Sequence, residues 1–312
     1  VSSAVDARVS PLAALAVAIV AVSTSAILVR WSEAPSLIKA LYRVLFTTAL
    51  VAPVALARHR GDFRRLGGRD LAVASAAGVA LALHFASWFE SLNWTTVAAS
   101  VTLVQSQPLF VALGAWALLD ERVTRRTVLG ILVALVGMVA MSLGDFLSGV
   151  ALEAARPLYG NGLAVVGAVM AAAYVLAGRS LRQRIALLPY VTVVYGVCTL
   201  ALFGLSIARG HALVGYPARE WLLFFAMAVG PGLFGHTVIN WALAHLESSV
   251  VSVSLLGEPV GSTLLALVLL GEVPTAATVI GGAVVLAGIY VTASARRIDD
   301  PAEGADELPG DA

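Results

Sequence analysis

Residues 105–138 read QSQPLFVALGAWALLDERVTRRTVLGILVALVGM, and residues 256–289 read LGEPVGSTLLALVLLGEVPTAATVIGGAVVLAGI. Laid over one another at a constant offset of 151 positions, they match at Pro108 and Pro259, Glu121 and Glu272, Gly130 and Gly281, and Gly137 and Gly288. Four anchors at one offset over about thirty residues mark an internal duplication. Both copies are too apolar for the surface of a soluble domain.

The rest of the chain agrees. It has 312 residues, 59% hydrophobic and only 12% charged, and its mean hydropathy is +0.90. Soluble domains carry about twice that share of charge, and their surface has to be polar somewhere. An ordinary soluble enzyme, a disulfide scaffold and a disordered protein are excluded. A net charge of +1 gives no electrostatic case for nucleic acid, and one cysteine, Cys198, excludes an internal disulfide and a cysteine-rich metal site. The expected surroundings are a lipid bilayer.

A bilayer core takes about 20 apolar residues per helix. Stretches free of Asp, Glu, Lys and Arg, allowing Lys39 and Arg43 inside the second and Glu258 inside the ninth, give ten such segments between Val9 and Ala295. The expected fold is therefore an all-α polytopic membrane protein of ten transmembrane helices, built as two inverted five-helix repeats, 9–144 and 157–295, with a disordered cytoplasmic tail at 296–312. The alternating pattern of a membrane β-barrel is absent, and the first segment is too long, with too few basic residues before it, for a cleaved signal. With the N-terminus inside, fourteen basic residues fall on the cytoplasmic side and four outside, as the positive-inside rule asks. Both termini are then cytoplasmic. Five helices per repeat is an odd number, so the copies insert oppositely. Accordingly, the loop 120–126 carries three arginines and its counterpart 271–275 none.

The first copy, from Gln105 through Pro108, Glu121 and Gly130 to Gly137, resembles the EamA repeat of the drug/metabolite transporter superfamily. The second, from Glu258-Pro259 through Gly271-Glu272 to Gly288, resembles it more closely still. Asp120 stands where that family usually has Gly. The resemblance implies a ten-helix secondary transporter in a bacterial cytoplasmic membrane that exports small metabolites such as amino acids, with no cofactor. Inverted repeats also serve alternating access around a midplane site. Rival readings are a channel, a non-transporting bundle and a membrane enzyme. Against an enzyme, no zincin, Gly-x-Ser-x-Gly or phosphate-loop motif is present.

Six residues are candidates for substrate binding or coupling. Glu258 lies roughly 15 Å along its segment from Ser248, at a depth where an ionisable group costs a few kcal/mol. Its counterpart Gln107 is neutral, so the duplication does not require the charge. It reads either as a coupling or amine-binding group or as a structural acid beside Pro259. Arg43 lies roughly 10 Å into its helix and either pairs with Glu258 or Glu90 or takes a substrate carboxylate. Lys39, one turn earlier, can snorkel to the interface. His84 and Trp88 share one helical face and His236 and Asn240 another, as cleft lining or as interhelical hydrogen bonds. Glu121 and Glu272 sit before Thr124 and Thr275, which are expected helix caps. Pro231, between Gly230 and Gly232, is expected to break its helix early. No metal site is expected.

Overall fold

The computed structural model describes residues 10–91, 94, 103–119, 123–147, 156–270 and 276–295. Among these, the regular structure is all helical. The helices are α1 (Pro11–Trp31), α2 (Ser36–Arg58), α3 (Gly68–Ser91), α4 (Gln107–Leu118), α5 (Arg125–Leu147), α6 (Pro157–Arg182), α7 (Leu187–Ala208), α8 (Ala218–Ala242), α9 (Ser248–Ser254), α10 (Gly257–Leu270) and α11 (Ala276–Ala295). A single turn of helix, Arg60–Arg64, links α2 to α3. Seven helical spans are long and apolar enough to cross a membrane, the last of them running through α9 and α10; α4 and the stretch Val279–Thr292 of α11 are shorter apolar helices. The protein is an integral membrane protein. The expectations placed on Glu121, Glu272, Thr275, Asp120 and the tail 296–312 lie outside the described residues.

Local chemistry sets the helix ends. Pro11 opens α1 behind Ser10, whose hydroxyl oxygen accepts from the Ala13 amide at 3.5 Å. Thr124 caps α5 by accepting from the Thr127 amide at 3.1 Å, as its position predicts. The break between α9 and α10 follows from Pro259. Proline has no N–H to offer the carbonyl four residues back, which is Leu255, and that carbonyl instead accepts from the Glu258 amide at 2.9 Å. Leu255 and Leu256 form the resulting turn, and Gln105 and Ser106 form the corresponding turn ahead of Pro108.

The duplication is visible in what touches what. Thr48 on α2 and Thr199 on α7 are exactly one offset apart, 151 residues, and their hydroxyls lie 3.4 Å from each other. A residue that meets its own counterpart marks a pseudo-two-fold axis. The glycines mark it again between α5 and α11. A Cβ on Gly137 would lie 2.6 Å from the carbonyl oxygen of Gly281, and a Cβ on Gly288 would lie 2.6 Å from that of Gly130. Gly130 therefore faces Gly288 while Gly137 faces Gly281, so these two equivalent helices run antiparallel, backbone to backbone. Small residues permit such close approach. The other contacts obey the same exchange: α3 and α4 pack on α6 as α8 and α10 pack on α1.

Pro231 does not break its helix. α8 stays continuous by widening into a π-helical stretch, Ala228–Thr237, which accommodates the missing donor and the ring. Side chains satisfy backbone groups there: the Thr47 hydroxyl lies 3.0 Å from the Ala228 carbonyl oxygen. Gly232 and Gly235 let Thr47 and Val22 press against the helix. Such stretches are frequent at functional sites, and this one carries His236.

Candidate functional site

The main cavity, about 70 Å³, lies between the two halves. A water needs about 10–15 Å³ on this measure, so the space admits several waters or a small solute. Helices α1, α2 and α3 and the turn before α4 supply one wall, and α6, α8 and α10 the other.

Five of the six residues singled out from the sequence line it: Arg43, His84, Trp88, His236 and Glu258. Asn240 does not. It is fully buried behind the wall, where its amide donates to the Tyr174 hydroxyl and, at 2.8 Å, to the His236 carbonyl. Tyr174 itself lines the cavity, so Asn240 braces two lining residues.

Arg43 is only 3% exposed. Its guanidinium donates to the Ser25 hydroxyl at 3.1 Å and sits 4.7 Å above the centre of the Phe85 ring. No carboxylate among the described residues lies within ion-pair distance, so the pairing expected with Glu258 or Glu90 is not formed. Glu258 is held by its backbone: its carbonyl accepts from Ser23 at 3.2 Å, while its carboxylate, facing the same cavity as Arg43, has no hydrogen-bond partner among the described residues. Both charges therefore lean on one short stretch of α1, Ser23 and Ser25, without neutralising each other in contact. An arginine this buried, with a serine and a ring as its partners among the described residues, is costly, and a ligand carboxylate offsets that cost.

Lys39 is almost as buried, and its ammonium donates to the Val29 carbonyl at 3.2 Å. It lies away from the cavity, beside Glu220, whose carboxylate accepts from Ser32 and from the Glu33 amide.

The aromatic residues form a continuous wall. His84 and Trp88 stack with centroids 5.7 Å apart and planes at 26°, and His236 meets Phe85 edge-on at 5.6 Å. Nδ1 of His84 donates to the Gly167 carbonyl at 3.0 Å, because a carbonyl can only accept. The Trp88 indole N–H and Nδ1 of His236 are buried without a partner among the described residues. Native structures leave few such groups unsatisfied, so their presence on a cavity wall is a mark of a binding surface.

Several lining residues escaped sequence reasoning: Ser25, Phe85 as the partner of Arg43, Gln105 and Tyr174. The polar run Ser23-Thr24-Ser25 inside an otherwise apolar helix was a readable signal. Gln105 was readable too, standing beside Gln107 in the duplicated motif. Tyr174 carried no local signal.

The profile of a family described as EamA-like transporters matches residues 9–143 and again 158–294. The chain belongs to the EamA-like transporter family. It is a membrane transporter by that membership, and its partner is a small-molecule substrate. A probable terminal-alkyne amino-acid exporter of Streptantibioticus cattleyicolor is 28% identical over 77% of this chain and 80% of its own length. An uncharacterized transporter of Archaeoglobus fulgidus is 24% identical over 81% of this chain and 86% of its own. A protein of known crystal structure superposes with a TM-score of 0.75 at 24% identity, covering 93% of this chain and 98% of that one; this likeness is one of fold.

Proposed function

We propose that this EamA-like protein is a secondary transporter that exports small zwitterionic metabolites, amino acids first, across the cytoplasmic membrane by alternating access. In this reading ten helices cross the bilayer as two inverted five-helix units, 9–144 and 157–295, with both termini cytoplasmic. The antiparallel pairing of α5 with α11, the Thr48–Thr199 axis and the distribution of basic residues support that arrangement. An odd number of helices per copy and an axis perpendicular to them belong to inverted repeats, whose shared site lies near the midplane.

One observation carries the functional reading. Arg43 from the first half and Glu258 from the second line a single cavity, each without an ionic partner in contact among the described residues. A zwitterion satisfies both, its carboxylate on the guanidinium and its ammonium on the carboxylate, with charge-assisted bonds at each end. The aromatic wall receives the remainder of the molecule. Because the two charges belong to different halves, a substrate that bridges them ties the halves together, and the halves are the bodies that move against one another in alternating access. Glu258 is also one of the titratable groups in this cavity, with His84 and His236, and is the acidic one able to exchange a proton for substrate.

Transport into proteoliposomes with a panel of labelled amino acids tests the reading. Saturable uptake of amino acids above empty liposomes, with apparent affinity lowered at least about tenfold in Arg43→Gln, is expected. Uptake indistinguishable from empty liposomes across the panel overturns it.

A further inference from the structure

The cavity has two chemically different ends. Its charged end is built on α1: Ser25 holds the Arg43 guanidinium and Ser23 the Glu258 backbone. Its other end, on α3, α6 and the turn before α4, carries no formal charge. There Trp88 and Val104 meet at Gly167, where a Cβ would lie 3.3 Å from Val104 and 3.4 Å from Trp88, and Gln105 follows Val104 into the cavity wall.

This uncharged end is rich in hydrogen-bonding groups that nothing among the described residues uses. The Trp88 indole N–H is a buried donor with no partner among the described residues. The Nδ1 proton of His84 is committed to the Gly167 carbonyl, so in the neutral ring Nε2 is left as an acceptor. Gln105 is buried, lines the cavity and makes no side-chain hydrogen bond to the described residues, so its amide offers a donor and an acceptor together. An apolar ligand group placed here leaves these groups unpaired and dehydrated, which costs more than the contact returns. Sites built to hydrogen-bond a hydroxyl or amide reject the analogue that lacks it far more strongly than hydrophobic pockets reject a missing methyl.

The geometry points to a side-chain subsite at Trp88, His84 and Gln105 for a small uncharged side chain that both donates and accepts hydrogen bonds, a hydroxyl or a carboxamide. The inference rests on the zwitterion reading above: with the carboxylate on Arg43 and the ammonium on Glu258, the uncharged end is what remains for the side chain. The transported class is then the polar neutral amino acids, in preference to aliphatic and aromatic ones. Trp88 and Gln105 are its specificity-determining residues.

Threonine and valine are nearly the same shape and differ by one hydroxyl, so they isolate the subsite. Proteoliposomes holding the full-length protein are assayed with labelled threonine and, separately, labelled valine, each competed by both. Threonine is expected to be favoured at least tenfold, which corresponds to about 1.4 kcal/mol. In Trp88→Phe, which keeps a ring and removes the N–H, the preference is expected to fall below about threefold. The ratio is internal to each preparation and does not depend on how much protein folds. Equal competition by valine and threonine, or a tenfold preference that survives both Trp88→Phe and Gln105→Leu, overturns the subsite and leaves the zwitterion reading standing. If neither amino acid, nor any other in the panel, enters above empty liposomes, the subsite and the reading beneath it both fail.

Discussion

Replacing Gly137 with alanine puts one methyl group between two backbones. The new Cβ would lie 2.6 Å from the Gly281 carbonyl oxygen, 2.6 Å from the Val285 nitrogen and 3.0 Å from the Val284 carbonyl carbon. All three atoms are backbone, so no side-chain rotation relieves the clash. Comfortable carbon–oxygen contacts between helices run about 3.3–3.6 Å, so α5 and α11 have to separate by roughly 0.7–1 Å along their shared seam. Overpacking of this kind costs about 1–3 kcal/mol. Gly204 on α7 is the control, because a Cβ there meets nothing within 4 Å. Alanine at that position gains up to about 1 kcal/mol of helix propensity. The two substitutions are chemically the same and are expected to move stability in opposite directions, about 2 kcal/mol apart. The chain's one cysteine, Cys198, is fully buried, so a thiol-reactive fluorophore reports unfolding in detergent without further engineering. At roughly 2–4 °C per kcal/mol, Gly137→Ala is expected to melt at least about 4 °C below Gly204→Ala. If Gly137→Ala melts at or above the control, the backbone-to-backbone seam is wrong, and with it one of the two supports for the pseudo-two-fold axis.

Other perturbations address the site and the topology. Arg43→Lys keeps the charge but loses the planar fork, so it is expected to weaken apparent affinity about tenfold or more, while thermal stability stays closer to wild type than in Arg43→Ala; unchanged affinity removes Arg43 from the site. Trp88→Ala is expected to shift substrate preference at normal expression, and a wild-type profile in Trp88→Ala and His84→Ala together places the pathway elsewhere in the bundle. If Glu258 exchanges protons, wild-type transport depends on pH and Glu258→Gln transports with a flat pH profile; a mutant that keeps the wild-type profile leaves Glu258 as a binding group alone. Cysteines introduced in the 145–156 segment are expected to react with an impermeant reagent from outside and those in 61–69 to be protected; the reverse pattern inverts the topology.

The fold was largely legible because its evidence is carried by composition and by a repeat, both of which survive without any knowledge of contacts. The offset of 151 that aligned Pro108 with Pro259 also relates Thr48 to Thr199, but no reading of the sequence reveals that these two threonines meet. Only the packing of α2 on α7 does that. Charges and polar side chains in apolar helices pointed to the cavity because burying them is costly wherever they lie, and Arg43, His84, Trp88, His236 and Glu258 were found this way. Asn240 met the same criterion but sits behind the wall, since helical periodicity gives a face and not the identity of the neighbour that covers it. Tyr174 was passed over for the converse reason: a tyrosine on an apolar helix is ordinary until its hydroxyl is seen to lie between an asparagine and a cavity. Pro231 was read as a break because proline removes a donor, whereas a run of ten π-helical residues, cushioned by glycines, absorbs it.

The central claim is that Arg43 and Glu258 together hold one zwitterion. It is tested most directly by blocking the two ends of the substrate one at a time. In proteoliposomes exchanging a labelled amino acid, the unlabelled amino acid is compared as a competitor with its methyl ester, which lacks the carboxylate, and with its N-acetyl derivative, which lacks the ammonium. The account predicts that the free amino acid competes and that both blocked forms fail, by at least tenfold each, the loss of about one charge-assisted bond. It predicts further that Arg43→Gln narrows the gap for the ester alone and Glu258→Gln for the N-acetyl form alone. Competition by either blocked form equal to that of the free amino acid in the wild-type protein contradicts it.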